Sequence, residues 1–181
     1  LAVKSAAGEV AVQGRTSKKK VKKTELNVAI KAHDIGKFLD QLGYAKGVDG
    51  GKGQLKGFVG WEGFADKIDF STLSGKINVQ ATNGQFTQLD PGAAKLLGIL
   101  SLQALPRRLV LDFSDIFSSG FNFEKIVSNF DIKDGVATTE NFSMIGPAAR
   151  VKMEGIIDLG SETQRLSVDI FPQLSTAAAV A

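Results

Sequence analysis

Apolar and polar residues alternate with period two over most of this chain, the pattern of strands that bury one face. Leu26, Val28, Ile30 and Ala32 share one side of the first long run. Leu55, Gly57, Val59 and Trp61 do so in the next, and Leu73, Gly75, Ile77, Val79 and Ala81 in a third. Asn83-Gly84 then predicts a tight turn before Phe86, because both residue types tolerate left-handed backbone. Ile126, Ser128, Phe130 and Ile132 lead into a second turn pair, Asp134-Gly135, with Val136 and Thr138 starting the return. Val151, Met153, Gly155, Ile157 and Leu159 precede a polar turn over 160–164, after which Leu166, Val168 and Ile170 alternate again. The pattern predicts a meandering antiparallel sheet of roughly eight or nine strands.

Two segments change period. Asp34 is placed to cap a helix in which Ile35, Phe38, Leu39 and Leu42 follow helical spacing, with Gly43 able to end it in the left-handed region. The run 92–105 carries Ala93, Leu96, Leu97, Ile99, Leu100, Leu102 and Leu105, more apolar surface than one helix face holds, which predicts burial on several sides. Two short helices cannot cover a sheet of this width, and an apolar face must meet a second layer, a ligand or itself. The fold class is therefore α+β and β-dominated: a sheet that curls to make its own interior, or an ordinary β-sandwich with the same alternation.

Composition narrows the chemistry. A chain of 181 residues suits one domain, and the absence of cysteine excludes disulfides and thiolate metal sites. No stretch reaches the roughly 20 apolar residues that span a bilayer, and Leu1 opens no signal peptide. The net charge of +3 is local, since Arg15, Lys18, Lys19, Lys20, Lys22 and Lys23 carry six positive charges and the remainder totals −3. Residues 15–23 form a basic loop or hairpin tip, either solvated and protective of a sheet edge or in contact with an anionic headgroup or polyanion. It holds no aromatic residue for base stacking, so nucleic acid is not an expected partner.

Candidates for catalysis are few. His33 is the sole histidine and closes a strand just before the Asp34 cap, so it is read as structural. Asp112 and Asp115 stand at i and i+3 on a strand and point to opposite faces, which rules against a paired acid and base. The Gly-rich run 47–60 lacks the glycine and Ser/Thr positions of a phosphate-binding loop, so its glycines are read as a turn followed by twist or close backbone approach. Neither an enzyme nor a cofactor or metal site is expected.

The most informative stretch is 105–126, LPRRLVLDFSDIFSSGFNFEKI, which passes from the apolar helix through Arg107 and Arg108 into a strand ending at Phe113 and then a loop with Phe117, Phe121 and Phe123. Asp34-Ile35-Gly36, Leu42-Gly43-Tyr44, Gly60-Trp61-Glu62-Gly63, Leu73-Ser74-Gly75, Asp90-Pro91-Gly92, Gly146-Pro147-Ala148 and Gly155-Ile156-Ile157-Asp158-Leu159 accompany it in order. With these landmarks the chain resembles the C-terminal region of the YhdP family of AsmA-like bacterial envelope proteins. The resemblance implies a curled, taco-like β-groove whose inner face meets phospholipid acyl chains, in the periplasm, within a protein anchored in the inner membrane. The anchor has no counterpart here and the family would continue past Ala181, so 1–181 is expected to be a single AsmA-like domain from a much larger protein.

On that reading Trp61, Leu96, Leu97, Leu100, Phe113, Phe117, Phe121 and Phe123 line or close the groove, and Arg107 and Arg108 meet lipid phosphate; core packing and carboxylate pairing are the plainer alternatives. A contrasting hypothesis is a closed structural or docking module that caps the long sheet and binds an envelope partner.

Overall fold

The alternating runs become strands, and each pairs with its neighbours in chain order. The structure, a computed structural model, describes residues 1–17, 22–43, 47–87 and 121–173. Nine antiparallel strands form one sheet in the order β1 to β9. They are β1 (Ala2–Lys4), β2 (Gly8–Ser17), β3 (Lys23–Ala32), β4 (Val48–Glu62), β5 (Ser74–Phe86), β6 (Phe121–Lys133), β7 (Val136–Ile145), β8 (Ala149–Asp158) and β9 (Thr163–Pro172). The sheet is curled but not closed into a barrel.

Register brings the apolar sets onto one face. Val28 pairs with Val12 and Gly57, Gly57 with Ile77, and Ile77 with Phe130. One row along, Ile30 pairs with Val10 and Leu55, Leu55 with Val79, and Val79 with Ser128. The residues between them, among them Asn27, Lys31, Gln54, Lys56, Lys76 and Gln80, fill the opposite, exposed face. A slip of one residue in any strand would exchange these faces, so the pattern itself specifies the register.

Helix α1 (Ile35–Gln41) forms where expected: the Asp34 carboxylate accepts the Lys37 N–H at 3.0 Å, and Gly43 takes φ 86° just past the helix. It rests on a platform of small residues. Gly8, Ala32, Gly53 and Ala81 form one register row, and side chains at Gly8 and Gly53 would run into Phe38 and Ile35. Ser5 ties down the far end by donating its Oγ–H to Gln41 Oε1 at 3.0 Å. The second expected helix, 92–105, lies outside the described residues.

Two local devices depart from the simple alternation. Asn83-Gly84 does not reverse the chain, contrary to expectation: β5 runs on to Phe86, with Asn83 at φ 53° inside the strand. In β4, which pairs with it, Gly50 and Gly51 have φ 60° and 78°, and in β6 Glu124 and Lys125 are consecutive exposed residues. Pairing continues through this row, Gly50 to Gly84 and Gly84 to Phe123, while the buried positions of β6 step by one. The left-handed residues are therefore spent on turning the sheet's face, and Asn tolerates that conformation better than most residues.

The second device is a bulge in β7, which has one more residue than β6 between the pairs Val127–Ser143 and Asp131–Thr138, and one more than β8 between Thr139–Gly155 and Phe142–Met153. Glu140 and Asn141 are both exposed there, so Thr139 and Phe142 return to the same face. The Asp134-Gly135 turn forms as read, with φ 47° and 80°, the double left-handed geometry of a tight hairpin.

Candidate functional site: the apolar face of the sheet

Among the described residues the apolar face has two packed ends and a half-buried middle that no described element crosses. At one end α1 packs on the Gly8–Ala32–Gly53 platform. At the other, Trp61, Leu73, Ile132 and Ala137 form a buried cluster against which Leu26, Val59, Ile77 and Ile157 pack. Trp61 is only 1 % exposed, and its indole N–H donates to the carbonyls of Phe64 and Lys67, each at 3.0 Å. The loop 63–73 is thereby held over its own strand ends.

Between these ends Val28, Ile30, Leu55, Ile77, Val79, Phe142 and Met153 are half-buried. Among the described residues no helix or strand crosses this region: α1 packs on β4, and the short 3₁₀ turn Phe70–Thr72 touches β4 at its end. These residues span β3 to β8, five gaps of roughly 4.8 Å each, so the stripe runs about 24 Å along the sheet. An acyl chain could lie along it, since half the bilayer's hydrocarbon core is only about 15 Å thick.

Polar atoms on this face are self-satisfied. Ser128 and Thr139, both fully buried, share a hydroxyl–hydroxyl hydrogen bond of 3.0 Å, and no buried side-chain polar atom among the described residues lacks a partner. Among the described residues this face therefore presents mainly hydrocarbon for contact. The opposite face is mainly polar, with Phe58 standing exposed among its charged and amide side chains. A cleft of about 590 Å³ on it is lined by Lys56, Phe58, Lys76, Asn78, Asn129, Asp131 and Glu140, with Lys76 paired to Asp131 and Asn78 donating to Asn129 at 2.6 Å.

The structure separates the candidate residues named from sequence. Trp61 sits in the packed cluster at one end of the apolar face, fully buried. Phe121 and Phe123, expected in a loop, belong to β6; both are buried, and Phe123 lies with its ring centroid 5.2 Å from that of Phe86. Phe121 pairs with Phe86 across β5 and β6, so the three rings gather at the strand ends opposite Trp61. Leu96, Leu97, Leu100, Arg107, Arg108, Phe113 and Phe117 lie outside the described residues. The Glu124-Lys125 pair, two polar residues in succession, was the signal that the alternation shifts and that the preceding phenylalanines continue the strand. Sequence reading missed the Ser128–Thr139 pair, because one polar residue per strand gives no sign that they meet.

Ionisable groups show no catalytic arrangement among the described residues. His33 Nε2 is 3.7 Å from Glu9 Oε1 at an exposed strand end, and no cluster of three metal-ligating side chains occurs. Three carboxyls are held below the ordinary carboxylate range, each by a local hydrogen bond. The Lys37 backbone N–H does this for Asp34, the Ser71 hydroxyl for Asp69 and the Ser161 backbone N–H for Asp158. These are caps and turns, not acids or bases poised for reaction.

Comparison with known proteins agrees with this geometry. No solved structure matches the chain. The intermembrane phospholipid transporter YhdP of Escherichia coli K12 is 37 % identical over 114 residues, which is 62 % of this chain and 9 % of the transporter's length. The chain thus spans under a tenth of that relative. The family described as YhdP protein matches residues 1–181, the full length of the sequence, and the chain belongs to the YhdP family.

Proposed function

We propose that this chain is a segment of a bridge-like lipid transport protein, in which the apolar face shields phospholipid acyl chains on their way between the inner and outer bacterial membranes. The observation that carries the proposal is the largely apolar stripe across the antiparallel strands of an open sheet, half-buried at Val28, Ile30, Leu55, Ile77, Val79, Phe142 and Met153, with no described helix or strand lying across it. The E. coli relative, named as an intermembrane phospholipid transporter, supports the ligand class. Each methylene removed from water contributes about 0.8 kcal/mol, so about eight methylenes give roughly 6 kcal/mol without polar specificity. That suits a passive track: hold the chain out of water, select weakly, let it slide.

On this reading the end clusters have distinct roles. Trp61 closes one side of the groove, Phe121 and Phe123 close the other, and Arg107 and Arg108 are proposed to meet lipid phosphate. The setting is the periplasm, with the full-length protein anchored in the inner membrane. The chemistry is non-enzymatic.

Native mass spectrometry of the purified chain, followed by organic extraction, tests the proposal. Phospholipid should co-purify, and Leu55→Gln with Val79→Thr should leave the chain folded by circular dichroism yet lipid-free. A wild-type protein without lipid, or a folded double variant that retains it, would sink the shielding role.

A further inference from the structure

At the strand ends beside Trp61 the surface changes character. Phe64, Ile68 and Phe70 lie within seven residues and are 53 %, 47 % and 51 % exposed. Such large side chains standing half in water within one short segment mark an interaction surface more often than chance exposure does. The loop that carries them is not loose. Trp61 Nε1 holds the Phe64 and Lys67 carbonyls, Glu62 N–H donates to Thr72 Oγ1 at 3.0 Å, and Asp69 accepts the Ser71 N–H and hydroxyl. Gly63 N–H bonds the Lys22 carbonyl at 2.8 Å, and Gly135 N–H bonds that of Leu73 at 2.8 Å. The apolar side chains are displayed on a fixed frame.

Cations surround this frame. Lys22 Nζ stands 3.8 Å from the centroid of the Phe64 ring, Lys67 lies within the loop, and Lys23 opens β3 beside it. In sequence, 15–25 and 61–73 together carry seven cations against four carboxylates; Arg15 and Glu25 pair with one another, and Asp69 is occupied by its own loop. The turns farther along this rim, at Lys133-Asp134 and Glu162, carry no excess of cations, so the attraction is strongest at the β2–β5 part.

We propose that this rim, Phe64, Ile68 and Phe70 ringed by Lys22 and Lys67, docks on an anionic phospholipid bilayer. The three side chains enter the headgroup–acyl boundary, and the ammonium groups meet the phosphates. Aromatic and aliphatic anchors beside lysines are the combination that interfacial binding requires, since apolar burial gives depth and charge gives attraction to anionic lipid. The site lies beside the groove and shares no residue with its uncovered stripe, so it stands whether or not the stripe carries acyl chains.

Flotation of the 181-residue chain with vesicles tests it, comparing phosphatidylcholine alone with phosphatidylcholine containing phosphatidylglycerol. The chain should float with the anionic vesicles and lose binding as salt rises. Phe64→Ser with Ile68→Ser and Phe70→Ser should weaken binding by about tenfold or more while keeping the wild-type circular dichroism and any co-purified lipid. Should the triple variant unfold, Lys22→Glu with Lys67→Glu supplies the same readout through charge alone. Ile68→Trp should shift its emission to the blue on anionic vesicles and be quenched by brominated acyl chains. Equal flotation of wild type and folded variants, equal affinity for neutral and anionic vesicles, or an unquenched Ile68→Trp would overturn the proposal and point to a protein partner at this rim. Failure of the groove proposal reads differently: lipid would be absent from the wild type while vesicle binding persisted.

Discussion

Ser128 and Thr139 show how a polar pair can sit at the bottom of an apolar face at little cost. Each hydroxyl is buried, and each is the other's hydrogen-bond partner at 3.0 Å. Removing one leaves the other unmatched, so Ser128→Ala is expected to destabilise the fold by about 1–3 kcal/mol. Ser128→Ala combined with Thr139→Val removes both hydroxyls at nearly constant shape and should recover most of that loss. Urea titration followed by the fluorescence of Trp61, the single tryptophan, measures Ser128→Ala, Thr139→Val alone and the double variant; a double variant as unstable as the sum of the singles would show that the pair is not coupled. The β7 bulge at Glu140-Asn141 is what returns Phe142 to the apolar face after Thr139. Thr138-Thr139-Glu140-Asn141 carries that information in the sequence only as a gap in the alternation, and the identity of the partner strand's residue is absent from it.

At the scale of elements, three carboxylates hold turns in place and should make the fold acid-sensitive in a definable way. Asp34 caps α1, Asp69 caps the 3₁₀ turn, and Asp158 receives the N–H groups of Gly160 and Ser161 between β8 and β9. Each titrates lower in the folded chain than when unfolded. Their stabilisation is therefore complete above the unfolded carboxylate range near about pH 4 and is lost as pH falls through the lower folded values. Acid titration of the wild type should show stability falling below about pH 4, with a shallower fall for the Asp34→Asn, Asp69→Asn, Asp158→Asn variant; superimposable curves would rule these caps out as the source. The Asp34 cap was legible, because Asp34 followed by a helical stripe and Gly43 is a complete local signal, whereas the Asp69 and Asp158 caps were not read from the sequence. The Asn83-Gly84 pair was legible only in part. Its left-handed residue was correctly anticipated, but whether it reverses a strand or turns a face depends on Gly50 and Gly51 of β4, some thirty residues upstream.

For the whole molecule, an apolar stripe with no described element lying across its middle makes stability depend on what fills it. Monomeric short-chain phosphatidylcholine added below its micellar concentration should raise the thermal midpoint, by mass action, and at 100-fold excess over its dissociation constant the gain would be about 2.7 kcal/mol. A midpoint indifferent to lipid would mean that the stripe is not a binding surface. Period-two alternation, the helix with its cap and the Asp134-Gly135 hairpin follow from the sequence by itself, since strand pleat, helix pitch and turn geometry are local and each leaves its own spacing of residues. The resemblance to the YhdP family was equally legible from its ordered landmarks. Tertiary structure alone decided that the nine strands join in one open sheet and not two packed ones, that Trp61 staples a loop, and that Phe64, Ile68 and Phe70 share a rim with Lys22. Those outcomes depend on which strands pair and how strongly the sheet curls, and contacts between residues distant in sequence leave no periodic trace in either partner.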